Sequence, residues 1–338
     1  MTSPYYIGVD IGGTKIAVSV FDEASSTITE KEAFPTNREC DPAIAVRRIS
    51  EIARRWIGIR AEPPRSVGIS VGGMFDVQSG CMGRMTHLPL WDNFPIVSKI
   101  RDAIQVPVYA ENDANACALA EWQYGAGKGC QHLVFLTFGT GLGGGLILNG
   151  QLYRGACGLS GEVGAIRVSD DGPPVRGKPG CLEGFASGAG IAMYASSLLA
   201  GGEDSTLPSK PTAKQIAEAA MAGDAFSIGV LEECGRQLGC GLAMLIDVLN
   251  PEAIVLGSIF ARCESLLRPA MESAIAQEAM PETARVCRIV AAELGESLGD
   301  VAAATVAKLG ASSETNRDTT VQQSLSSTSL VQAKRTES

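Results

Sequence analysis

Three short stretches of this 338-residue chain hold residue types that could do chemistry together. In Asp10-Ile11-Gly12-Gly13-Thr14-Lys15, an acid, two glycines, a hydroxyl and an ammonium follow one another. Glycine removes the Cβ that would hold phosphate oxygens away from backbone N–H groups. Thr14 adds a hydroxyl, and Asp10 is placed to hold a Mg²⁺ ion through water. Taken alone, this stretch also fits a plain hairpin with a Gly-Gly turn. A second glycine-dense turn, FGTGLGGG over 138–145, tips the reading toward nucleotide phosphates, with Gly139, Thr140, Gly141, Gly143 and Gly144 joining Gly12, Gly13, Thr14 and Lys15. The third stretch is Glu111-Asn112-Asp113. A carboxylate at the carboxyl end of a strand and the start of a helix is kept ionised by the helix N-terminus. Beside a γ-phosphate, Asp113 could accept the proton of an attacking hydroxyl.

Such residues need elements to hold them, and hydrophobic periodicity supplies strands alternating with helices. Strands are expected at Tyr5–Asp10, Ile16–Asp22, Val67–Val71, Val106–Ala110, His132–Phe138, Gly145–Leu148, Ala253–Gly257 and Val286–Ala291. Asp41-Pro42 caps and opens a helix running to Ile57, with Ala45, Ile49, Ile52 and Trp56 as its apolar stripe. Further helices are expected at Asp113–Tyr124, Phe185–Leu199, Thr212–Met221, Asp224–Leu249 and Leu298–Lys308, with a Gly/Pro-rich loop over Gly155–Gly184. The strand–glycine turn–strand unit occurs twice, as IGVDIGGTKIAVSV and LVFLTFGTGLGGGLIL, once near the start of each half. Duplicated hairpins of this kind characterise sugar kinases, actin and the chaperone ATPases.

Composition narrows the function classes. A net charge of −9 gives no global positive field for nucleic acid or anionic lipid. No window approaches the roughly 18 apolar residues of a membrane span. The N-terminus MTSPYYIGVD shows no signal peptide, so a cytoplasmic location is expected. The ten cysteines are scattered without a CxxC pair and read as small buried hydrophobes in a reducing compartment. Only His87 and His132 are histidines, which weighs against imidazole chemistry.

Together these stretches resemble the ROK sugar kinases, a family that includes bacterial glucokinases. The resemblance covers about residues 5–309. It rests on DIGGTK at 10–15, GGMFD at 72–76, ENDANA at 111–116, FGTGLGGG at 138–145, GEVG at 161–164 and GKPGCLEG at 177–184. It implies Asp113 as catalytic base, Asn112, Glu162 and Glu183 as sugar ligands, and Gly73 as the point where backbone approaches the sugar. The family's repressors carry a helix-turn-helix ahead of this core, and none is expected here. The departures bear on the sugar side. Ala165 stands where the family has a histidine touching sugar and a structural zinc, and Pro174 and Arg176 replace two zinc cysteines, leaving Cys181. One ligand of four cannot close a tetrahedral site, so no zinc is expected. Gly72-Gly73-Met74 replaces the usual Pro-Gly-Pro, and His87 stands where asparagine is common.

Two decoys are set aside. Residues 172–178 have P-loop spacing, but Pro179 replaces the required Ser/Thr. Gly68-Ile69-Ser70-Val71-Gly72 matches a hydrolase nucleophile elbow, yet turn and loop residues follow where a helix is needed. The expectation is therefore an α/β, two-domain actin-like ATPase or hexokinase (ribonuclease H-like) fold. Residues 1–113 would form the smaller domain, joined by a return helix at about 296–309, residues 114–295 the larger one, and 310–338 a disordered tail. The expected reaction transfers the γ-phosphate of ATP, with Mg²⁺, to a hexose hydroxyl, glucose O6 first. The alternatives are N-acetylmannosamine, allose, fructose or a β-glucoside as substrate, or a non-catalytic ATP- and sugar-binding sensor. Partners would be the sugar and ATP, with no nucleic acid and no membrane, in a homodimer or homotetramer.

Overall fold

A computed structural model describes residues 3–36, 41–84 and 88–312. Cys40, His87 and residues 313–338 of the expected tail lie outside them. The described residues divide into two compact units, those up to 116 together with 299–312, and 117–298.

The first unit begins with a meander, β1 (Tyr5–Ile11), β2 (Lys15–Asp22) and β3 (Thr27–Pro35), followed by α1 (Pro42–Gly58) and β4 (Val67–Val71). A hairpin of two short strands, β5 (Phe75–Asp76) and β6 (Cys81–Met82), leads to α2 (Ile96–Ile104), β7 (Val108–Asn112) and the start of α3 (Asp113–Tyr124). The sheet order is β3-β2-β1-β4-β7. The meander pairs are antiparallel, and β4 runs parallel to both β1 and β7. Asp41 caps α1 by accepting from Ala43 N at 2.8 Å, and Ala45, Ile49, Ile52 and Trp56 are buried as their spacing requires. They meet Ile7, Val9, Ile69 and Val71 in one apolar core.

The second unit holds β8 (Leu133–Leu136), β9 (Gly144–Leu148), β10 (Gln151–Tyr153), α4 (Gly188–Ala200), α5 (Ala213–Met221), α6 (Ala225–Leu249), β11 (Ala253–Leu256), α7 (Ser258–Glu278), α8 (Pro281–Ala284) and β12 (Arg288–Ala291). Its sheet order, β10-β9-β8-β11-β12, reproduces the first: an antiparallel meander with two parallel strands added to the first strand of the hairpin. A separate core fills it, from Val134 and Leu136 to Leu242, Phe260 and Met271. The duplicated hairpins thus each seed one sheet.

The last helix, α9, runs over 298–312 and belongs to the first unit. It extends past the expected Lys308 and takes in residues 310–312 of the expected tail. It lies close on the sheet because β4 offers Gly68: a Cβ there would sit 2.0 Å from Ala303 O. The Ser66 hydroxyl donates to Ala307 O at 2.9 Å.

Among the further elements, α2, β5, β6, β10 and α8 were not expected, and three more show why expectation failed. β3 is a strand whose exposure alternates residue by residue, so Glu30, Lys31 and Glu32 at its centre mask an edge strand. β7 starts after Pro107 and extends through Asn112. α7 tolerates Pro269 and an irregular φ/ψ at Cys263, breaks that hide a 21-residue helix. The nine cysteines among the described residues form no disulfide, and Cys130, Cys181, Cys234 and Cys263 are buried. Among the described residues no helix is long and apolar enough to cross a membrane.

Candidate active site

In the first unit, β7 ends and α3 begins at the junction of Asn112 and Asp113. Asn112 is the helix cap: its Oδ1 accepts from Ala114 N at 3.0 Å and Asn115 N at 3.3 Å. Its Nδ2 donates to Gly73 O at 2.9 Å and to Asp113 Oδ1 at 3.1 Å. All the hydrogen-bonding capacity of this amide is therefore engaged. Gly73 takes φ +100°, a conformation that favours glycine, and this turns its carbonyl onto Asn112. Asp113 Oδ1 also accepts from Ala114 N at 2.9 Å. Oδ2 accepts no hydrogen bond from another described residue and faces Gly72, where a Cβ would stand 3.6 Å away. Burial pushes the Asp113 carboxyl up to about 6; the Ala114 N–H and the Asn112 amide oppose the rise, and the charge of Asp10 adds to it. One oxygen is anchored and the other is open, on an acid that is ionised at neutral pH yet close to exchanging its proton.

Asp10 stands near the end of β1, paired across the sheet with Ala17 and Ser70. Its Oδ2 occupies the space a side chain at Gly299 would need, 2.7 Å from the ideal Cβ, so the first turn of α9 abuts the carboxylate. Burial raises the Asp10 carboxyl; the Ser70 hydroxyl, Lys15 and Lys31 pull it down, and Asp300 adds to the rise. Asp300 is itself buried and paired with Lys31 on β3. Asp10 makes no ion pair among the described residues. A hard, under-neutralised carboxylate fits Mg²⁺, which needs only one or two protein carboxylates when substrate phosphates and water complete its shell.

The first glycine turn is closed by Gly12 N donating to Lys15 O at 3.0 Å and leaves Gly13, Thr14 and Lys15 exposed. In the second unit, the turn between β8 and β9 is held from several sides. Thr137 N donates to Gly143 O, Gly143 N to the Thr137 hydroxyl, and Gly139 N to Gly141 O. The first residues of α4, Gly188 and Ala189, donate to Gly139 O and Thr140 O at 2.8 and 3.2 Å. Buried Phe138 adopts φ +33°, strain of the kind that persists where surroundings impose it. Gly139 O and Thr140 O are thus taken by the start of α4, and Gly141 O and Gly143 O by the turn itself. Among the described residues, the N–H groups of Gly13, Thr14, Thr140 and Gly141 donate to no protein acceptor. Free amides on a rigid turn are ready for an anion.

Glu183, in the 3₁₀ turn Leu182–Gly184, braces this turn. Its Oε2 accepts from Leu142 N at 2.9 Å and lies 3.2 and 3.3 Å from the ideal Cβ positions of Gly141 and Gly164. It joins the glycine turn to the 3₁₀ turn Val163–Ala165, which follows Glu162. Glu162 is exposed and pairs with Arg176 at 3.4 Å. The four positions where the resemblance puts zinc ligands are Ala165, Pro174, Arg176 and Cys181, and they do not fit zinc: one thiol, no imidazole and a guanidinium. The Cys181 thiol is buried and donates to Ala165 O at 3.7 Å.

Sequence reasoning missed the Asp10–Gly299 contact, the Lys31–Asp300 pair and the turn-bracing role of Glu183. The glycine at the N-terminus of an expected helix was the available signal for the first. It also passed over Glu121, fully buried in α3, which accepts from the N–H groups of Ala126, Glu293 and Leu294 at 2.8, 3.2 and 2.9 Å. The decoys resolve as expected. Ser70 is followed by a turn and β5 rather than a helix, and 172–178 closes as a hairpin bridged between Val175 and Lys178.

The comparisons with known proteins agree with this architecture. The chain is 34% identical over 311 residues to a glucokinase of Halalkalibacterium halodurans, covering 88% of this chain and 93% of that protein. It is 30% identical over 292 residues to the DNA-binding transcriptional dual regulator NagC of Escherichia coli, covering 85% of this chain and 71% of the regulator. A ROK family glucokinase from Streptomyces griseus, solved with glucose and AMPPNP, superposes with a TM-score of 0.71 at 31% identity, over 90% of this chain and 99% of that one. The fold is accordingly that of the actin-like ATPases. With the ROK family model matching residues 6–309 and both sheets repeating one strand order, the chain belongs to the ROK family.

Proposed function

We propose that this chain is an ATP-dependent hexose kinase that transfers the γ-phosphate to a sugar hydroxyl, with glucose O6 as the leading acceptor and Asp113 as general base. The observation that carries the reading is the Asp113 carboxyl: Oδ1 fixed by Ala114 and Asn112, Oδ2 open, and a pKa of about 6. Such a group can hold the acceptor hydroxyl and take its proton as the new O–P bond forms. The free amides of Gly13, Thr14, Thr140 and Gly141, with Gly12, Lys15, Gly139, Gly143 and Gly144 shaping the turns, take the phosphates. Asp10 would hold Mg²⁺, which when bound screens the phosphate charge. Gly73, Asn112, Glu162 and Glu183 form the sugar set, and Asn112 reaches a hydroxyl by exchanging its Gly73 bond. The relatives named glucokinase favour a sugar acceptor.

The test is ADP release with Mg-ATP over a panel of glucose, N-acetylmannosamine, allose, fructose and a β-glucoside. Sugar-dependent release names the acceptor. Sugar binding by calorimetry with no release on any of them would replace the kinase by a non-catalytic sensor, a reading the similarity to a transcriptional regulator keeps in view.

A further inference from the structure

On the sugar-kinase reading above, Glu162 must be held in place, and the chain around it lacks the ligands for a metal. Glu162 precedes the short turn Val163–Ala165, and its side chain makes no capping hydrogen bond there. The facing strand segment supplies backbone pairing only beyond that turn: Leu182 N donates to Ile166 O at 2.8 Å and Val168 N to Gly180 O at 2.9 Å. Besides the Cys181 thiol on Ala165 O and Glu183 against Gly164, the charged groups that reach the turn come from one tight hairpin. Val175 and Lys178 exchange both backbone hydrogen bonds, at 2.9 and 3.0 Å, across Arg176 and Gly177, which take φ +51° and +79°. Left-handed backbone at a non-glycine residue such as Arg176 is unfavourable, and the turn it makes sets Arg176 and Lys178 on the Glu162–Ala165 segment. The Arg176 guanidinium meets the Glu162 carboxylate at one end, and Lys178 Nζ donates to Ala165 O at 2.7 Å at the other.

We propose that Arg176 and Lys178 are positioning residues that clamp the Glu162–Ala165 turn by charge, so that sugar affinity is independent of zinc and weakens with salt. Arg176 fixes the carboxylate that is to meet the sugar. Lys178 fixes the carbonyl end of the same turn through a charge-assisted hydrogen bond to Ala165 O. The charges sit at the surface, where ions screen them. Two cations at this place also repel any divalent ion.

Two readouts test the clamp. Kinetically, Lys178→Met should raise the glucose KM about tenfold and Arg176→Met about threefold, with kcat within about twofold of wild type, while Lys178→Arg recovers most of the loss. Independently of any sugar, trypsin cleavage after exposed Arg167, which is bridged to Cys181, should be about tenfold faster in the double Met variant. In wild type it should accelerate severalfold between about 50 and about 500 mM NaCl, and not at all with a zinc chelator. Wild-type glucose KM in both Met variants, unchanged cleavage in the double variant, or chelator-sensitive cleavage in wild type would each overturn the clamp. Wild-type protein inert on every sugar would instead overturn the kinase reading, and the cleavage arm would still decide the clamp.

Discussion

Replacing Asp113 by Asn should make the protein more stable while disabling it. The amide keeps an Oδ1 to accept from Ala114 N and Asn112 Nδ2, so the start of α3 is retained. What disappears is the charge. The carboxyl is raised from 3.8 to about 6, chiefly by burial. The folded state therefore binds the proton more tightly than the unfolded chain, and stability falls as pH rises from about 4 through about 6. Above the folded pKa the full cost of ionisation is present, and below the unfolded pKa it vanishes. A shift of this size corresponds to about 3 kcal/mol. Allowing for the solvent that reaches this partly exposed residue, the expected gain for Asp113→Asn is about 1–3 kcal/mol at pH 8. Urea unfolding of both proteins, at intervals from pH 4 to pH 8, measures it. The gap should close as the pH falls toward 4. An Asn variant no more stable than wild type at pH 8, or a gap that widens in acid, would refute the burial argument.

The same carboxyl sets a kinetic expectation: kcat/KM for the sugar should fall about tenfold per pH unit below about 6 and be level above it, since the base must be ionised. A profile flat down to pH 4.5 would contradict this. Gly299→Ala places a methyl 2.7 Å from Asp10 Oδ2, and a displaced carboxylate should raise the Mg²⁺ concentration for half-maximal rate about tenfold, read from Mg²⁺ titrations of ADP release. Glu121→Ala strips three N–H groups of their buried acceptor and should destabilise the second unit by about 1–3 kcal/mol in urea unfolding.

The parts of the fold that were legible in the sequence are those in which local chemistry and tertiary placement agree. Asp41-Pro42 caps α1 as its residue types require, and Thr212 and Asp224 cap α5 and α6 in the same way. The doubled hairpin was legible because glycine turns between apolar runs have few other uses, and it carried the symmetry of both sheets. Where charge or proline interrupts the periodicity, the signal fails. Glu30-Lys31-Glu32 disguises β3, whose alternate residues are only partly covered, and Pro269 disguises α7. The site divides along the same line. Asp113 and the glycine turns sit at strand ends, which a sequence displays. Gly299 against Asp10, and Arg176 and Lys178 against Glu162 and Ala165, are contacts between distant segments set by chain geometry, and no local pattern encodes them.

The role of Asp113 is tested most directly by comparing wild type with Asp113→Asn in phosphoryl transfer to the sugar that wild type uses, with sugar affinity measured by calorimetry on the same samples. Loss of the general base should lower kcat by about a hundredfold or more while the sugar Kd stays within about threefold. Turnover at the wild-type rate in the Asn variant would contradict the account.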